Sequence, residues 1–253
     1  MVESGVKSGM KVLITGATGF IGRELCKRLS SEGYSLVVLS RNPEKVSMPV
    51  PCEVHGWEAQ GPIPPQALQN IDAVIHLAGE QVGQGRWTAA KKEEILNSRL
   101  LGTGFLMQSF LSLNQKPRVI ISASAIGIYG NRGEEELTES SPAGEGFLPT
   151  VGQAWEKEFF QFQDRFERLA AIRIGLVLGK NGGILQRLLP LFQKGLGGPI
   201  GFGKQWMSWI HLDDLISLFL FVLKNPGMAG PINGCAPNPV RNKEFSKTLG
   251  RVL

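Results

Sequence analysis

Long apolar runs are missing from this sequence. A membrane-spanning helix needs about 18 or more consecutive apolar residues, and the most apolar stretch, residues 212–223, is shorter and carries Asp213 and Asp214. We therefore predict no membrane association. The first nine residues contain no apolar signal core either. We interpret residues 1–9 as a disordered leader or an expression remnant, with Met10 as a candidate natural start.

Cysteine is also scarce. The chain has three cysteines, Cys26, Cys52 and Cys235, and their scattered positions lack the spacing of a metal site. We expect no bound metal. Sparse, scattered cysteine is typical of a reducing compartment, which predicts a cytoplasmic protein.

Charge of one sign is not concentrated anywhere. The 27 basic and 22 acidic residues leave a formal charge of +5, but the basic residues are dispersed and no motif that reads RNA or DNA is present. Nucleic-acid binding is a hypothesis that rests on net charge alone, and an anionic cofactor or substrate explains the mild excess equally well. With 253 residues, 42% of them hydrophobic, the chain can bury the core of one α/β domain with or without a smaller lobe.

Glycine, by contrast, follows a definite pattern near the start. A short apolar run at residues 12–14 ends at Gly16, and Gly19 and Gly22 follow before a helical pattern begins. A strand, a glycine turn and a helix in this order bind the pyrophosphate of a dinucleotide, because the turn lets the backbone approach the phosphates at the positive helix N-terminus. An ordinary turn between a strand and a helix is the alternative.

The end of the second predicted strand, residues 35–39, bears on which dinucleotide would bind. Ser40, Arg41 and Asn42 stand where a site that prefers NAD has an acidic residue for the ribose 2′-hydroxyl. A guanidinium can instead pair with a 2′-phosphate, so we favour NADP over NAD. The alternative is a solvated loop arginine.

Further strands and helices alternate along the chain and predict a doubly wound parallel sheet with right-handed crossovers. His76 lies inside an apolar strand, which favours a hydrogen-bonded core histidine, and residues 133–146 read as an exposed, mobile acidic loop. The predicted strands are 52–57, 73–79, 119–124 and 170–174, and the predicted helices are 88–112 and 151–167.

After residue 183 the pattern changes. We predict a helix at 184–196, a glycine-rich hairpin at 195–203 and a strand at 206–210. Asp213 is expected to cap the helix that follows, and a short strand is expected near residue 231. We divide the chain into the leader, a nucleotide-binding domain at 10–183, and a small substrate lobe at 184–253 with segments that return to the first domain.

Together these motifs resemble the extended short-chain dehydrogenase/reductases, and more narrowly their atypical branch called "epimerase family protein" or cell-division-inhibitor homologue. The resemblance implies an NAD(P)-binding Rossmann fold. It also implies a C-terminal segment beyond Leu253, so we expect the substrate lobe to be truncated. The segments that carry the broad match are 15–22, 76–79, 129–130, Arg173 with Gly179, and 209–214, and those of the narrower match are 122–130, 154–156, 197–201 and 208–211.

The resemblance also implies which residues contact the cofactor. Arg99 stands where many relatives have an asparagine near the cofactor, and Glu94 lies about one helical turn before it. The implied contacts are Gly16, Thr18, Gly19, Phe20, Ile21 and Gly22 around the pyrophosphate, Ser40 and Arg41 at the 2′-phosphate, Leu77, Ala78 and Gly79 beside the adenosine, Glu94 and Arg99, and Ser122, Gly175 and Val177 beside the nicotinamide.

One departure from the family pattern concerns catalysis. Members of the superfamily carry Tyr-x-x-x-Lys on the helix after the serine-bearing strand, whereas this chain has Val151 and Trp155. Neither side chain can transfer a proton or supply a charge. Ser122 and Tyr129 are the candidate replacements, with Ser124 and Glu156 nearby. Alternatively, Ser122 binds the carboxamide, Tyr129 packs beneath a loop and Glu156 interacts with a helix dipole.

Two functions stay open at this point. The first is an NADP(H)-binding epimerase- or reductase-like protein that acts on a small molecule, with nucleotide-linked compounds among the candidates. The second is a non-catalytic, NADP-responsive regulatory or binding protein. We expect a monomer or homodimer. The residues implied to contact substrate are Gly201, Gly203, Gln205, Ser208 and His211, of which His211 can equally be structural.

Overall fold

The computed structural model describes residues 9–83, 85–180 and 182–253. Residues 1–8 of the predicted leader, Gln84 and Asn181 lie outside them. The elements are β1 (Lys11–Thr15), α1 (Phe20–Ser31), β2 (Ser35–Ser40), β3 (Glu53–Gly56), β4 (Ala73–His76), α2 (Ala89–Leu111), β5 (Val119–Ala125), α3 (Phe147–Phe160), β6 (Leu169–Ile174), β7 (Leu176–Leu178), α4 (Leu185–Gln193), β8 (Trp206–Met207), β9 (Trp209–His211), α5 (Leu212–Lys224), β10 (Gly230–Gly234), β11 (Val240–Arg241) and α6 (Asn242–Val252).

The central sheet has seven strands in the order β10-β6-β5-β4-β1-β2-β3, and all neighbours are parallel. Ile14 in β1 lies between Val38 of β2 and Ile75 of β4. The strand order reverses between β1 and β4, and a crevice opens at the carboxyl ends of the strands at such a point. The predicted doubly wound Rossmann sheet is confirmed.

Helices cover both faces of this sheet. Along β1, Val12 and Ile14 pack into the core beneath α1 and α5, while Leu13 packs into the opposite core beneath α2 and α3. Alternate side chains are buried on opposite faces, so the strands read as continuous apolar runs. Among the helices of the described residues, none is both long and apolar enough to cross a bilayer.

The later elements build a small lobe beside the carboxyl ends of the strands. β7 pairs in parallel with β9, and β8 pairs with β11 in antiparallel. The predicted strand near residue 231 is β10, which adds to the central sheet beside β6. Segments after residue 183 thus belong to both parts of the molecule, and the proposed division at that residue stays a prediction.

Several predicted boundaries need correction. The strand predicted at 73–79 ends at His76, and α3 spans residues 147–160 rather than 151–167. The segment 195–203 forms turns and not a hairpin, since it contains no strand. The strand predicted at 206–210 is two short strands with different partners. Asp213 does not cap α5, because the ring of His211 accepts the hydrogen bond from the backbone N–H of Asp213 (3.2 Å).

Candidate functional site

The glycine turn between β1 and α1 is closely packed against its neighbours. Gly16 has φ of +69°, and a Cβ at this position would lie 2.8 Å from the carbonyl carbon of Leu77. A Cβ on Gly22 would lie 2.4 Å from the carbonyl oxygen of Gly16. A side chain at either residue would therefore force the backbone apart.

The N-terminus of α1 faces the same turn. Its N-cap is Gly19, which makes no side-chain capping bond, and the first turn of the helix carries no acidic residue. The positive end of the helix dipole is thus not neutralised by the helix's own side chains. This arrangement suits an anion such as a pyrophosphate.

A cleft of about 810 Å³ opens at the carboxyl ends of β1, β2 and β4. It brings together three segments that the sequence separates: the glycine turn, the end of β2 and the residues after β4. Of the predicted cofactor residues, those that line it are Gly16, Thr18, Gly19, Ser40, Arg41, Leu77, Ala78, Gly79 and Glu94.

Arg41 lies at the rim of this cleft with its side chain exposed. The ion pairs among the described residues do not include Arg41. Beside it, Ser40 Oγ accepts a hydrogen bond from Asn42 N (3.2 Å) and shapes the turn after β2. The guanidinium is therefore available to an anionic ligand.

Two stretches of the cleft wall were not predicted. One follows β3, where Trp57 and residues 58–60 line the cleft and the Trp57 indole donates to Gly61 O (2.8 Å). The other is a face of α2 on which Asn97 and Leu101 line the cleft beside the predicted Glu94. Asn97 stands three residues after Glu94, and Leu101 stands four residues after Asn97. Such positions lie on one side of a helix, so this spacing could have predicted that they share a face with Glu94.

Arg99 points away from that face and is not among the residues that line the cleft. Its Nη1 donates to Glu80 O (3.1 Å) and Ile95 O (2.9 Å), and its guanidinium lies 5.0 Å from the centre of the Trp155 ring. Burial lowers the pKa of Arg99 to about 10. Arg99 therefore supports the loop after β4 from beneath.

His76 belongs to a buried chain of hydrogen bonds behind the cleft. Ala78 N donates to Thr15 Oγ1 (3.1 Å), Thr15 Oγ1 lies 2.7 Å from His76 Nδ1, and His76 Nε2 lies 3.3 Å from Thr103 Oγ1. The Trp155 indole also donates to Thr103 Oγ1 (3.1 Å). Burial, with Arg99 nearby as a smaller cause, lowers the pKa of His76 to about 4. The neutral ring is the core histidine that the sequence indicated.

The two candidate catalytic side chains lie away from the cleft. Ser122 is 1% exposed and its Oγ donates to Ala123 O (2.9 Å). Tyr129 is 4% exposed; it accepts a hydrogen bond from Arg173 Nη1 (2.7 Å) and donates to Asn233 Oδ1 (2.6 Å). Both hydroxyls are engaged inside the protein, which disfavours a role in proton transfer.

Glu156 and Arg173 form a buried ion pair beside Tyr129. Arg173 Nε and Nη2 donate to the two carboxylate oxygens of Glu156 at 2.8 and 2.7 Å, and Ser124 Oγ donates to the same carboxylate (2.6 Å). The hydrogen bonds to Glu156 raise the pKa of the Arg173 guanidinium. Arg173 Nη1 also donates to Glu139 O (3.0 Å), which fastens the mostly exposed 133–146 segment to the ion pair.

A second cleft, of about 310 Å³, lies between the sheet and the small lobe. Of the predicted substrate residues, Gln205 and Ser208 line it, whereas Gly201, Gly203 and His211 lie elsewhere. Its wall begins at Ile126, directly after β5, and is completed by Leu176, Ile184, Leu188, Gly198, Ile200, Trp206, Met207, Asn242 and Ser246.

The remaining predicted cofactor residues pack within the protein. The Phe20 ring fills the space beside the glycine-rich turn after β7, where a Cβ on Gly182 would lie 2.3 Å from it. Gly175 N donates to Gly234 O (3.0 Å). Like Phe20, Ile21 and Val177 are partly buried apolar side chains that pack against the core. Roles for these residues in cofactor binding stay predictions.

Comparison with known proteins assigns the chain to a family. Residues 12–233 match the NAD dependent epimerase/dehydratase family. The chain belongs to this family. It is 39% identical to epimerase family protein SDR39U1 homolog, chloroplastic, of Arabidopsis thaliana over 100% of the chain and 74% of that protein, and 38% identical to epimerase family protein YfhF of Bacillus subtilis over 96% and 80%.

A solved relative of this epimerase family agrees in three dimensions. The crystal structure of human epimerase family protein SDR39U1 (isoform 2) with NADPH superimposes with a TM-score of 0.82 at 32% identity, covering 96% of this chain and 79% of that one. The narrower resemblance read from the sequence, to the epimerase family protein branch, is therefore confirmed.

Proposed function

We propose that this epimerase-family chain binds NADP(H) in the larger cleft. The observation that carries the proposal is that one cleft unites the glycine turn with Arg41, an exposed guanidinium outside the ion pairs of the described residues. The human relative that was solved with NADPH supports the same choice of nucleotide.

The residues present fit this cofactor. The cleft volume of about 810 Å³ lies in the range of sites for large ligands. The pyrophosphate would lie against the backbone of Thr18 and Gly19 at the N-terminus of α1, and Arg41 would pair with the 2′-phosphate. Gly16 and Gly22 keep β1, α1 and the residues after β4 close enough to form the cradle.

We further propose that the protein acts as an epimerase- or reductase-like enzyme on a small molecule held in the second cleft. NADPH, when bound, would supply a hydride. Gln205 and Ser208 would orient the substrate, and the apolar wall would exclude water from it. Because Val151 and Trp155 replace the Tyr-x-x-x-Lys pair, proton transfer would need a group of the substrate, water or a residue outside that pair.

A non-catalytic, NADP-responsive role is the second candidate. The observation that favours it is the state of Ser122 and Tyr129, whose hydroxyls are buried and hydrogen-bonded inside the protein. In that case the nucleotide would act as a regulatory ligand. Substrate-dependent oxidation of NADPH by the purified protein would reject this alternative.

The test of the cofactor proposal compares NADPH and NADH by calorimetry with wild type, Arg41→Ala and Arg118→Ala. Arg118 is an exposed arginine directly before β5, at the amino ends of the strands, whereas the cleft lies at their carboxyl ends. We expect wild type to prefer NADPH, and Arg41→Ala to lose about tenfold in NADPH affinity, which is the usual size of one charge-assisted hydrogen bond. Arg118→Ala should bind as wild type does. Absence of binding to either nucleotide would refute the proposal.

A further inference from the structure

The lining of the second cleft indicates what kind of ligand it binds, because its side chains are uncharged and mostly apolar. None of its twelve lining residues among those described is Asp, Glu, Lys or Arg. Seven of them, including Ile126, Leu176 and Met207, are aliphatic, sulfur-containing or aromatic. A ligand that fits this wall must be largely apolar.

The guanidiniums nearest along the chain do not supply the missing charge. Arg241 stacks on the Trp206 ring at 3.9 Å, and its Nη2 and Nη1 donate to the Glu134 carboxylate and to Lys204 O. Arg187 lies on α4, three residues after the lining residue Ile184, and its Nη1 donates to Gly83 O. Both are therefore engaged by groups outside the cleft. Because none of the described lining residues carries a charge, a diphosphate placed in the cleft would lose its hydration without gaining a cation from the cleft wall.

The polar atoms of the cleft are few, and part of them serve the protein itself. The Asn242 amide accepts from Ile200 N (2.7 Å) and donates to Met207 Sδ (3.2 Å), and Gln205 Nε2 donates to Ile200 O (3.1 Å). The hydrogen bonds of the described residues do not include the hydroxyls of Ser208 and Ser246. Hydroxyls of this kind can bond a single carbonyl or alcohol group.

From these features we infer that the second cleft binds an uncharged, mainly apolar small molecule with one or two oxygen groups, and not a nucleotide-linked sugar. The cleft volume of about 310 Å³ equals that of roughly ten water molecules, which suits such a ligand. This inference rests on the proposed function in placing the substrate in this cleft, and it narrows the substrate class.

The test uses a neutral fluorescent probe, N-phenyl-1-naphthylamine, with the protein saturated with NADPH. We expect the probe to bind, 2-nonanone to displace it, and UDP-glucose at the same concentration to leave it bound. Leu188→Asp, which places a carboxylate in the cleft wall, should weaken probe binding by tenfold or more. Leu191→Asp is the matched control, because Leu191 lies on the same helix, is 47% exposed and is not among the lining residues.

Folding and cofactor binding are measured separately from probe binding. Should Leu188→Asp fail to fold, Leu188→Trp fills the cleft without adding charge and should also abolish probe binding. Displacement of the probe by UDP-glucose, equal effects of the substitutions at residues 188 and 191, or failure of the folded wild type to bind the probe would each overturn the inference. A wild-type protein that binds the probe but does not bind NADPH would instead refute the proposed cofactor and leave the inference about the second cleft standing.

Discussion

Gly22 offers a sharp test of how the glycine turn is built. A Cβ on this residue would lie 2.4 Å from Gly16 O and 2.6 Å from the Cα of Ala17. These are backbone atoms of the adjoining turn and cannot rotate away as a side chain could. Gly22→Ala must therefore push α1 away from the end of β1.

The size of the effect follows from two opposing terms. Overpacking a well-filled site costs about 1–3 kcal/mol, and contacts this short place Gly22→Ala near the upper end. Replacing glycine by alanine in a helix returns at most about 1 kcal/mol. We therefore expect the free energy of unfolding to fall by about 2 kcal/mol, which lowers Tm by roughly 4–8 °C in a chain of this size.

Gly19→Ala is the matched control, and thermal unfolding without nucleotide is the assay. A Cβ on Gly19 would meet only Gly16 O, at 3.3 Å, and loss of glycine at an N-cap costs less than about 1 kcal/mol. Gly19→Ala should therefore unfold near the wild-type temperature, yet bind NADPH more weakly because Gly19 lines the cleft. A Gly22→Ala protein that melts within about 1 °C of wild type would refute the packing argument.

Three further substitutions test the buried polar groups. Burial holds the pKa of His76 at about 4, below its ordinary 6.5. Between these pH values the unfolded chain binds more protons than the folded chain, so the free energy of unfolding falls by about 3 kcal/mol as the pH falls through that window. This loss should disappear in His76→Gln, as measured by urea unfolding at pH 7 and pH 4. Glu156→Gln leaves the Arg173 charge buried without a carboxylate and should lower the free energy of unfolding by about 3 kcal/mol in urea. Trp155→Phe removes the donor to Thr103 and should cost about 1 kcal/mol in the same assay.

Each of these outcomes can fail in a recognisable way. Equal pH profiles for wild type and His76→Gln would show that the histidine is not held neutral. The exposed Glu145 supplies the control for Glu156, because Glu145→Gln should leave the urea midpoint unchanged. A Trp155→Phe protein as stable as wild type would mean that the bond to Thr103 has no net value.

The order of strands and helices could be predicted from local pattern, and the errors lie where tertiary contacts decide. Phe159, Phe162 and Phe166 have helical spacing, yet α3 ends at Phe160 and Phe166 is buried from outside the helix. The spacing of hydrophobic residues indicates which side chains are buried, but an aromatic ring can be buried from a loop as well as from a helix. At α5 the capping role passed to His211 because β9, paired with β7, runs directly into the helix.

Some parts of the cofactor cleft could be predicted from the sequence and others could not. The glycine turn, Arg41 and the residues after β4 carry local signals, since each follows a strand end on the same edge of the sheet. The resemblance implied Arg99 near the cofactor, but Arg99 is not among the residues that line the cleft. It stands five residues after Glu94, which puts it about 140° around the helix from that residue. Trp57 and its neighbours follow an edge strand in a loop-rich stretch, and no periodicity marks them.

The surroundings of Trp155 depend on contacts that no sequence spacing reveals. By the resemblance, Trp155 stands where a lysine is expected, and the guanidinium of Arg99 lies over the Trp155 ring. A lysine introduced at residue 155 would therefore stand beside an existing cation in a buried site, which disfavours its charged form. The double substitution Val151→Tyr and Trp155→Lys would introduce the Tyr-x-x-x-Lys pair. As long as Arg99 is present, it should lower the free energy of unfolding without creating NADPH-dependent turnover. In this packing arrangement the Trp155 ring and the Arg99 guanidinium from α2 occupy the place in which the resemblance would put a lysine.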